Sequence, residues 1–227
     1  MFAHLGEIPP TLDPALREKL SRLSFPTLGH YLEEGFAEAG LRRIVGSERI
    51  IGTAFTVRTT ATDSTMLHHA AGLLEAGHVL VVDTGGDLRH APLGEVVAAQ
   101  TAIRGAAGAI VDGCVTDTEE IAEIGLTVHA RGTSMLTTKL HGIDAGGVNI
   151  PVSCGGATVR PGDVVLADAN GVLFVPVAVL ESLVDLALAD DAEEPDLIRE
   201  LRDGARLGDL TGASETVARL LALTEPQ

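Results

Sequence analysis

Residues 94–117 read GEVVAAQTAIRGAAGAIVDGCVTD. An acid, Glu95, stands where a helix should begin. Ala98, Ala99, Ala102 and Ile103 follow, and a glycine at 105 breaks the run. Then AIVD (109–112) has the short, unbroken apolar character of a strand buried on both faces. A second acid, Asp117, lies just past that strand, where the next helix should start. Helix, turn, strand, turn returns the chain to the same edge of a sheet. Two acids far apart in sequence are thereby brought toward one another at the carboxyl ends of parallel strands, where α/β proteins place ligands. Acids at helix starts also cap helices and suit the helix dipole, so position alone does not separate a structural role from a functional one.

The neighbouring segments extend the pattern. Residues 79–83 (VLVVD) read as another buried strand, followed by TGGDLRHAPLG. There Gly85 and Gly86 suit an anion-cradling loop. A helix is expected over residues 93–104, a short one over 118–124, and a third strand over 127–130. This β-α-β-α-β order predicts a right-handed parallel sheet. Asp83, Glu95, Asp112, Thr116 and Asp117 should share one edge. Thr116-Asp-Thr-Glu119 also fits a capping box, which gives Thr116 a purely structural reading. Upstream, Asp13-Pro14 signals a helix start, a second helix is expected over 27–37, a strand over 50–59, and a helix over 63–74 capped by Asp63 or Ser64. Downstream, residues 132–147 read as a loop carrying Lys139, His141 and Asp144. Short strands at 148–152, 157–159, 164–167 and 172–175 follow, the last two joined across Asn170-Gly171 as a β meander. A helix is expected over about 177–188, then an acidic stretch at 190–196 that reads as solvated surface, then helical stretches to about 224. The whole chain, 1–227, reads as one α/β domain with N-terminal helices over about 13–38.

Composition narrows the function. Apolar residues make up 45% of the 227 and mean hydropathy is +0.26, so a packed core is expected. Aromatics are 3%, so that core must be aliphatic. The net charge of −16, with 16 basic residues scattered, argues against nucleic acid and anionic membrane as partners. An anionic substrate would need a metal or local basic groups to reverse the field. Two cysteines, Cys114 and Cys154, make no disulfide framework or zinc motif, and no motif places a histidine beside Cys114 to activate it. No signal peptide or membrane span is expected, and a cytoplasmic location follows as the default.

The segments VLVVDTGGDLRHAPLGE (79–95), AIVDGCVTD (109–117) and VNIPVSCGGATVRPGDVVLADANGVLFVP (148–176) together resemble the regulator of ribonuclease activity A family. The likeness spans about residues 23–176. That family includes divalent-metal 4-hydroxy-4-methyl-2-oxoglutarate / 4-carboxy-4-hydroxy-2-oxoadipate aldolases, and many members were once mislabelled as menaquinone methyltransferases. The resemblance implies a β/β/α swivelling-domain-like fold and a homotrimer or hexamer with active sites at subunit interfaces. In the aldolases the motif is Gly-Asp, twenty residues, Arg-Asp. Here the frame reads Gly94-Glu95, twenty residues, Thr116-Asp117. The resemblance implies that Asp117 and Glu95 hold Mg2+ or Mn2+. The Arg that would hold the pyruvyl carboxylate is replaced by Thr116, which offers no bidentate guanidinium. Arg89, Lys139 and Arg131 are the candidates to replace it.

The first reading is therefore a metal-dependent carbon–carbon lyase. It would cleave 4-hydroxy-2-oxo acids or decarboxylate oxaloacetate. Glu95, Asp117 and Arg89 are the candidate catalytic groups, and Gly94, Val96, Val97 and Thr116 would contact a small 2-oxo acid. An acid from a neighbouring subunit, such as Glu193 or Glu194, is a further candidate. The second reading is a non-catalytic trimeric regulator, since prototype members of the family inhibit ribonuclease E. The third is a related metal-dependent reaction on another substrate.

Overall fold

The central strand of the molecule, Ile50–Arg58, is buried along all but its last residue, and every major part of the fold attaches to it. In the computed structural model, which describes residues 4–143 and 145–223, the elements run as follows. A two-residue strand β1 (His4–Leu5) precedes helix α1 (Pro14–Arg22), a 3-10 helix (Phe25–His30), β2 (Arg42–Val45) and β3 (Ile50–Arg58). Next come α2 (Thr65–Ala71), β4 (His78–Asp83), α3 (Glu95–Ile103), β5 (Gly108–Val115), α4 (Thr118–Ile124) and β6 (Val128–Thr133). After them lie β7 (Gly147–Val148), β8 (Val152–Cys154), β9 (Ala157–Val159), β10 (Val164–Ala167), β11 (Val172–Val175), α5 (Val177–Arg202), α6 (Leu207–Leu210) and α7 (Ala213–Ala222).

Strands β3, β4, β5 and β6 are parallel and adjacent in that order, linked by α2, α3 and α4. The expected β-α-β-α-β unit is present, with one further β-α unit before it. Alternation sorts the side chains. Phe55, Val57, Leu80, Val82 and Val111 pack with Leu67, Ala70, Val97, Ala98 and Ile121 of the helices. Ile50, Ala54, Val79, Val81 and Ile110 pack on the opposite face against Val152, Cys154, Val159, Val165 and Phe174. Helices thus cover one face and strands the other, in β/β/α layers.

The C-terminal strands form two hairpins rather than one continuous ladder. β8–β9 stands as its own two-stranded sheet, and β10–β11 joins the main sheet through β10, antiparallel to β3. The helix expected over 27–37 is replaced by the 3-10 turn and an extended segment. Gly35 and Ala37 are engaged by β11: the Phe174 amide donates to the Gly35 carbonyl at 2.9 Å, and the Ala37 amide to the Val172 carbonyl at 2.9 Å. At φ +89, with the Phe174 carbonyl 2.2 Å from where a Cβ would sit, Gly35 admits no side chain there. The helix expected over 63–74 is shorter, Thr65–Ala71: it begins after Asp63, whose carboxylate accepts the Thr65 amide, and it closes in a turn at Gly72 and Leu73.

The acidic stretch is not all solvated surface. Asp191 accepts from the Ser24 amide at 2.6 Å and from the Thr27 hydroxyl, and Asp190 accepts from the Tyr31 hydroxyl. These contacts fasten α5 to the N-terminal segment, and the bond to Asp190 raises the Tyr31 pKa. Helix α5 runs unbroken from Val177 to Arg202 through the acidic stretch that was expected to follow a helix ending near 188, and α7 ends at Ala222; residue 224 and the loop residue Asp144 lie outside the described residues. Among the described residues no helix is long and apolar enough to cross a membrane.

Candidate functional site

The acids at the carboxyl edge of the sheet fall into two groups. Asp83 and Asp112 are register partners on β4 and β5, and both are consumed by structure. Asp83 accepts from Arg58 at 2.9 and 3.0 Å, from the Gly85 amide at 2.8 Å and from the Ser153 amide at 3.2 Å. Asp112 accepts from Arg131 at 2.6 Å and from the Gly155 amide at 2.8 Å. The two carboxylates therefore clamp the β8–β9 hairpin onto the strand ends. The Gly85 amide, expected to cradle an anion, is already taken by Asp83. Arg131 also donates to Glu38 at 2.9 Å, and these bonds to Asp112 and Glu38 raise its pKa. It is committed to this clamp and is no substitute for a substrate-binding arginine.

Glu95 and Asp117 form the second group. A bulge between Val111 and Cys114 lets β5 run on to Val115. There Val115 bridges to Leu93, and the Thr116 amide donates to the Leu93 carbonyl at 3.0 Å. Gly94-Glu95 is thereby laid beside Thr116-Asp117, which is the physical content of the twenty-residue spacing. Asp117 takes a left-handed conformation (φ 54), tolerated by aspartate. Its Oδ2 accepts the Glu95 amide at 3.0 Å, and its Oδ1 accepts the Thr116 hydroxyl at 3.1 Å. The expected capping box does not form, because helix α4 has no side-chain cap. Asp117 instead caps the start of α3.

A cleft of about 230 Å3 opens here. Gly94, Glu95, Val96, Val97, Thr116 and Asp117 line it, so six of the seven site residues expected from sequence converge. Arg89 does not line it; that side chain is exposed on the preceding loop. Glu193 and Glu194 stand exposed on α5 and do not line it either. The opposite wall comes from Ser64 and His68 of the α2 region and from Thr137, Thr138, Lys139 and Leu140; of these, only Lys139 was a candidate from sequence, as a stand-in for the missing arginine. That wall is fixed by Asp63, which is 4% exposed. Its carboxylate accepts from the Thr65 amide (2.9 Å) and hydroxyl (2.6 Å), the His141 amide (3.1 Å) and the Ile143 amide (2.6 Å). Burial would raise its pKa, but these bonds outweigh burial and hold it below the ordinary value.

The sequence profile of the RraA-like family, described as Aldolase/RraA, matches residues 27–174. The chain belongs to this family. A relative from Ectopseudomonas mendocina, named as a candidate 4-hydroxy-4-methyl-2-oxoglutarate aldolase, is 36% identical over 155 residues, covering 68% of this chain and 91% of its own. The RNA-processing inhibitor RraA from Thermus thermophilis superposes with a TM-score of 0.59 at 32% identity, covering 66% of this chain and 89% of its own. Streptomyces coelicolor RraAS2, described as an unusual member of the RNase ES inhibitor RraA protein family, superposes with a TM-score of 0.71 at 25% identity, covering 86% of this chain and 99% of its own. Proteins named as candidate aldolases and proteins described as ribonuclease inhibitors thus both stand among the relatives of this RraA-like chain.

Among the described residues no group of three or more His, Cys, Asp or Glu side chains is arranged to hold a metal ion. The cleft offers two carboxylates, Glu95 and Asp117, and hydroxyls from Ser64, Thr116 and Thr138. Two carboxylates with nearby hydroxyls suit Mg2+ or Mn2+, which keep several waters and accept one or two carboxylates. Both Asp117 oxygens retain lone pairs beyond the single bond each accepts. Cys114 is buried, its thiol donates to the Leu88 carbonyl at 3.2 Å, and burial raises its pKa. Cys154 is buried and its pKa is pushed well up by the same cause. Neither is a prepared nucleophile.

Proposed function

We propose that this chain is a carbon–carbon lyase acting on 4-hydroxy-2-oxo acids, with oxaloacetate decarboxylation as a second reaction of the same site. The observation that carries this reading is the pairing of Gly94-Glu95 with Thr116-Asp117 in one cleft, in a chain 36% identical to a protein named as a candidate aldolase. Glu95 and Asp117 would hold a hydrated Mg2+ or Mn2+. Such an ion supplies Lewis-acid polarisation of a 2-oxo group.

The chain's own groups have separate tasks. The Glu95 amide is taken by Asp117. Val96 and Val97 belong to the first turn of α3, where amides have no intrahelical acceptor, and both residues line the cleft. Their amides would receive an oxygen of the substrate's carboxylate end. In retro-aldol cleavage a base takes the proton of the 4-hydroxyl, the C3–C4 bond breaks, and C3 is reprotonated to give pyruvate. Of the ionisable groups lining the cleft, Glu95 and Asp117 would be engaged by the metal and Lys139 is tied to Thr137, which leaves His68 for those transfers. In an oligomer, an acid such as Glu193 or Glu194 of a second copy would add to it.

The test is pyruvate release from 4-hydroxy-4-methyl-2-oxoglutarate and from oxaloacetate, with Mg2+ or Mn2+ and again with EDTA. Turnover that EDTA abolishes is expected. Absence of turnover on both substrates would overturn the lyase reading. A regulatory role is the second reading, supported by the likeness to the two RraA proteins and by the capping bond of Asp117 to α3, which explains that acid without catalysis.

A further inference from the structure

We propose that Lys139 is the residue that receives the substrate carboxylate in this cleft, and that it confers preference for 2-oxo acids over their uncharged analogues. The inference rests on the lyase reading above and names its charge-recognising group. With 32 acidic against 16 basic residues, the protein's mean field repels anions, and the two acids on the α3 side of the cleft add to that locally. Beside the amides of Val96 and Val97 and a metal held by those acids, a fixed side-chain cation would offset that field for the carboxylate. Lys139 is the only Lys or Arg among the residues lining the cleft.

Its placement is built. The Lys139 amide donates to the Thr62 carbonyl at 2.9 Å, and its carbonyl accepts from the Ser64 amide at 3.0 Å. This pairing forms a parallel bridge between Asp63 and Lys139. Two residues on, the Asp63 carboxylate takes the His141 amide and then that of Ile143. The backbone under the lysine is therefore tied to the α2 region at several points. The ammonium itself donates to the Thr137 carbonyl at 3.1 Å and to the Thr137 hydroxyl at 3.2 Å. An ammonium has three donors, so one remains for a ligand. Holding two of the three in place lowers the entropy cost of ordering a long side chain when the anion arrives.

The experiment measures binding of pyruvate and of its uncharged methyl ester to the full chain in the presence of Mg2+, by calorimetry or ligand-observed NMR. Wild type, Lys139→Met and Lys139→Arg are compared, with KM and kcat for 4-hydroxy-4-methyl-2-oxoglutarate measured alongside. The side chain is exposed and anchors only to Thr137, so both variants should fold. Lys139→Met is expected to weaken pyruvate binding about tenfold or more, as loss of a charge-assisted bond does. Affinity for the ester should stay the same, so discrimination narrows by the same factor, and Lys139→Arg should restore most of it. The loss should appear chiefly in KM. Unchanged pyruvate affinity in Lys139→Met, or a wild type that does not prefer pyruvate to the ester, would overturn the assignment. A wild type that binds pyruvate through Lys139 yet releases none from either substrate would overturn the lyase reading and leave the assignment standing.

Discussion

The Oδ2 atom of Asp117 accepts the amide proton of Glu95 at 3.0 Å, across 22 residues of sequence. One carboxylate thus caps the helix that carries the other acid of the cleft. A structural role and a ligand-holding role meet in the same side chain, and substitution can separate them. Asn at 117 keeps an oxygen able to accept the Glu95 amide but loses the charge; Ala loses both. Asp117→Asn should cost only a few tenths of a kcal/mol and Asp117→Ala about 1 kcal/mol in chemical denaturation. Lyase turnover should fall on the order of a hundredfold or more in both. Activity retained in Asp117→Asn would assign this residue to capping alone.

Gly94 is required by the same contact. A Cβ there would lie 2.5 Å from Asp117 Oδ2 and 2.9 Å from the Thr116 methyl. The backbone at Gly94 is extended (φ −131), so the cost of alanine is steric and not conformational. The Asp117 side chain is the part free to give way. Gly94→Ala should therefore resemble Asp117→Ala, with stability lowered by about 1 kcal/mol and Mn2+ affinity reduced. Thermal melts and Mn2+ titration by electron paramagnetic resonance would read both. Unchanged Mn2+ binding would place the cation away from Asp117.

Much of this arrangement was legible from residues alone. The runs VLVVD and AIVD, with a helical segment between them, placed β4, α3 and β5 to within a few residues. The separation of the acids was not legible. Asp83 and Asp112 end their strands as invitingly as any ligand, and only the tertiary contacts to Arg58, Arg131 and the amides of Ser153 and Gly155 show them to be a clamp. Thr116-to-Glu119 matched a capping pattern, yet the left-handed turn at Asp117 sends that carboxylate to a different helix. Lys139 was a candidate from its charge alone, but the wall that bears it was hidden for another reason. Its pairings, Asp63 with Lys139 and Ala91 with Thr137, join segments too distant in sequence for any periodicity to announce.

Thr116 tests how far the cleft departs from the aldolases it resembles. Its hydroxyl donates to Asp117 Oδ1 at 3.1 Å and offers nothing bidentate to a carboxylate. Thr116→Arg would set a guanidinium beside Asp117, at the position the aldolase motif gives to arginine. The expected result is a gain of about tenfold or more in kcat/KM on 4-hydroxy-4-methyl-2-oxoglutarate, measured by pyruvate release. An unchanged kcat/KM would mean that the substrate's carboxylate lies out of reach of position 116. Activity in the variant with none in the wild type would point to an intact metal site and a different natural substrate.

Acid should loosen the wall opposite Glu95 and Asp117 through Asp63. Bonds from Thr65, His141 and Ile143 hold its carboxylate below the ordinary value of 3.8. Because the folded-state pKa is depressed, the stabilisation is fully present above the unfolded value and disappears as pH falls through 3.8 toward the folded one. Asp63→Asn keeps one acceptor oxygen but turns the other into an amide donor facing backbone N–H groups. It should cost about 1–3 kcal/mol at neutral pH. The gap in Tm between wild type and variant should be constant from pH 7 to about pH 5 and narrow below pH 4. A gap that stays constant down to pH 3 would show that the charge on Asp63 contributes nothing to the fold. Since the same carboxylate fixes the segment under Lys139, the variant should also raise KM for a 2-oxo acid even where it remains folded.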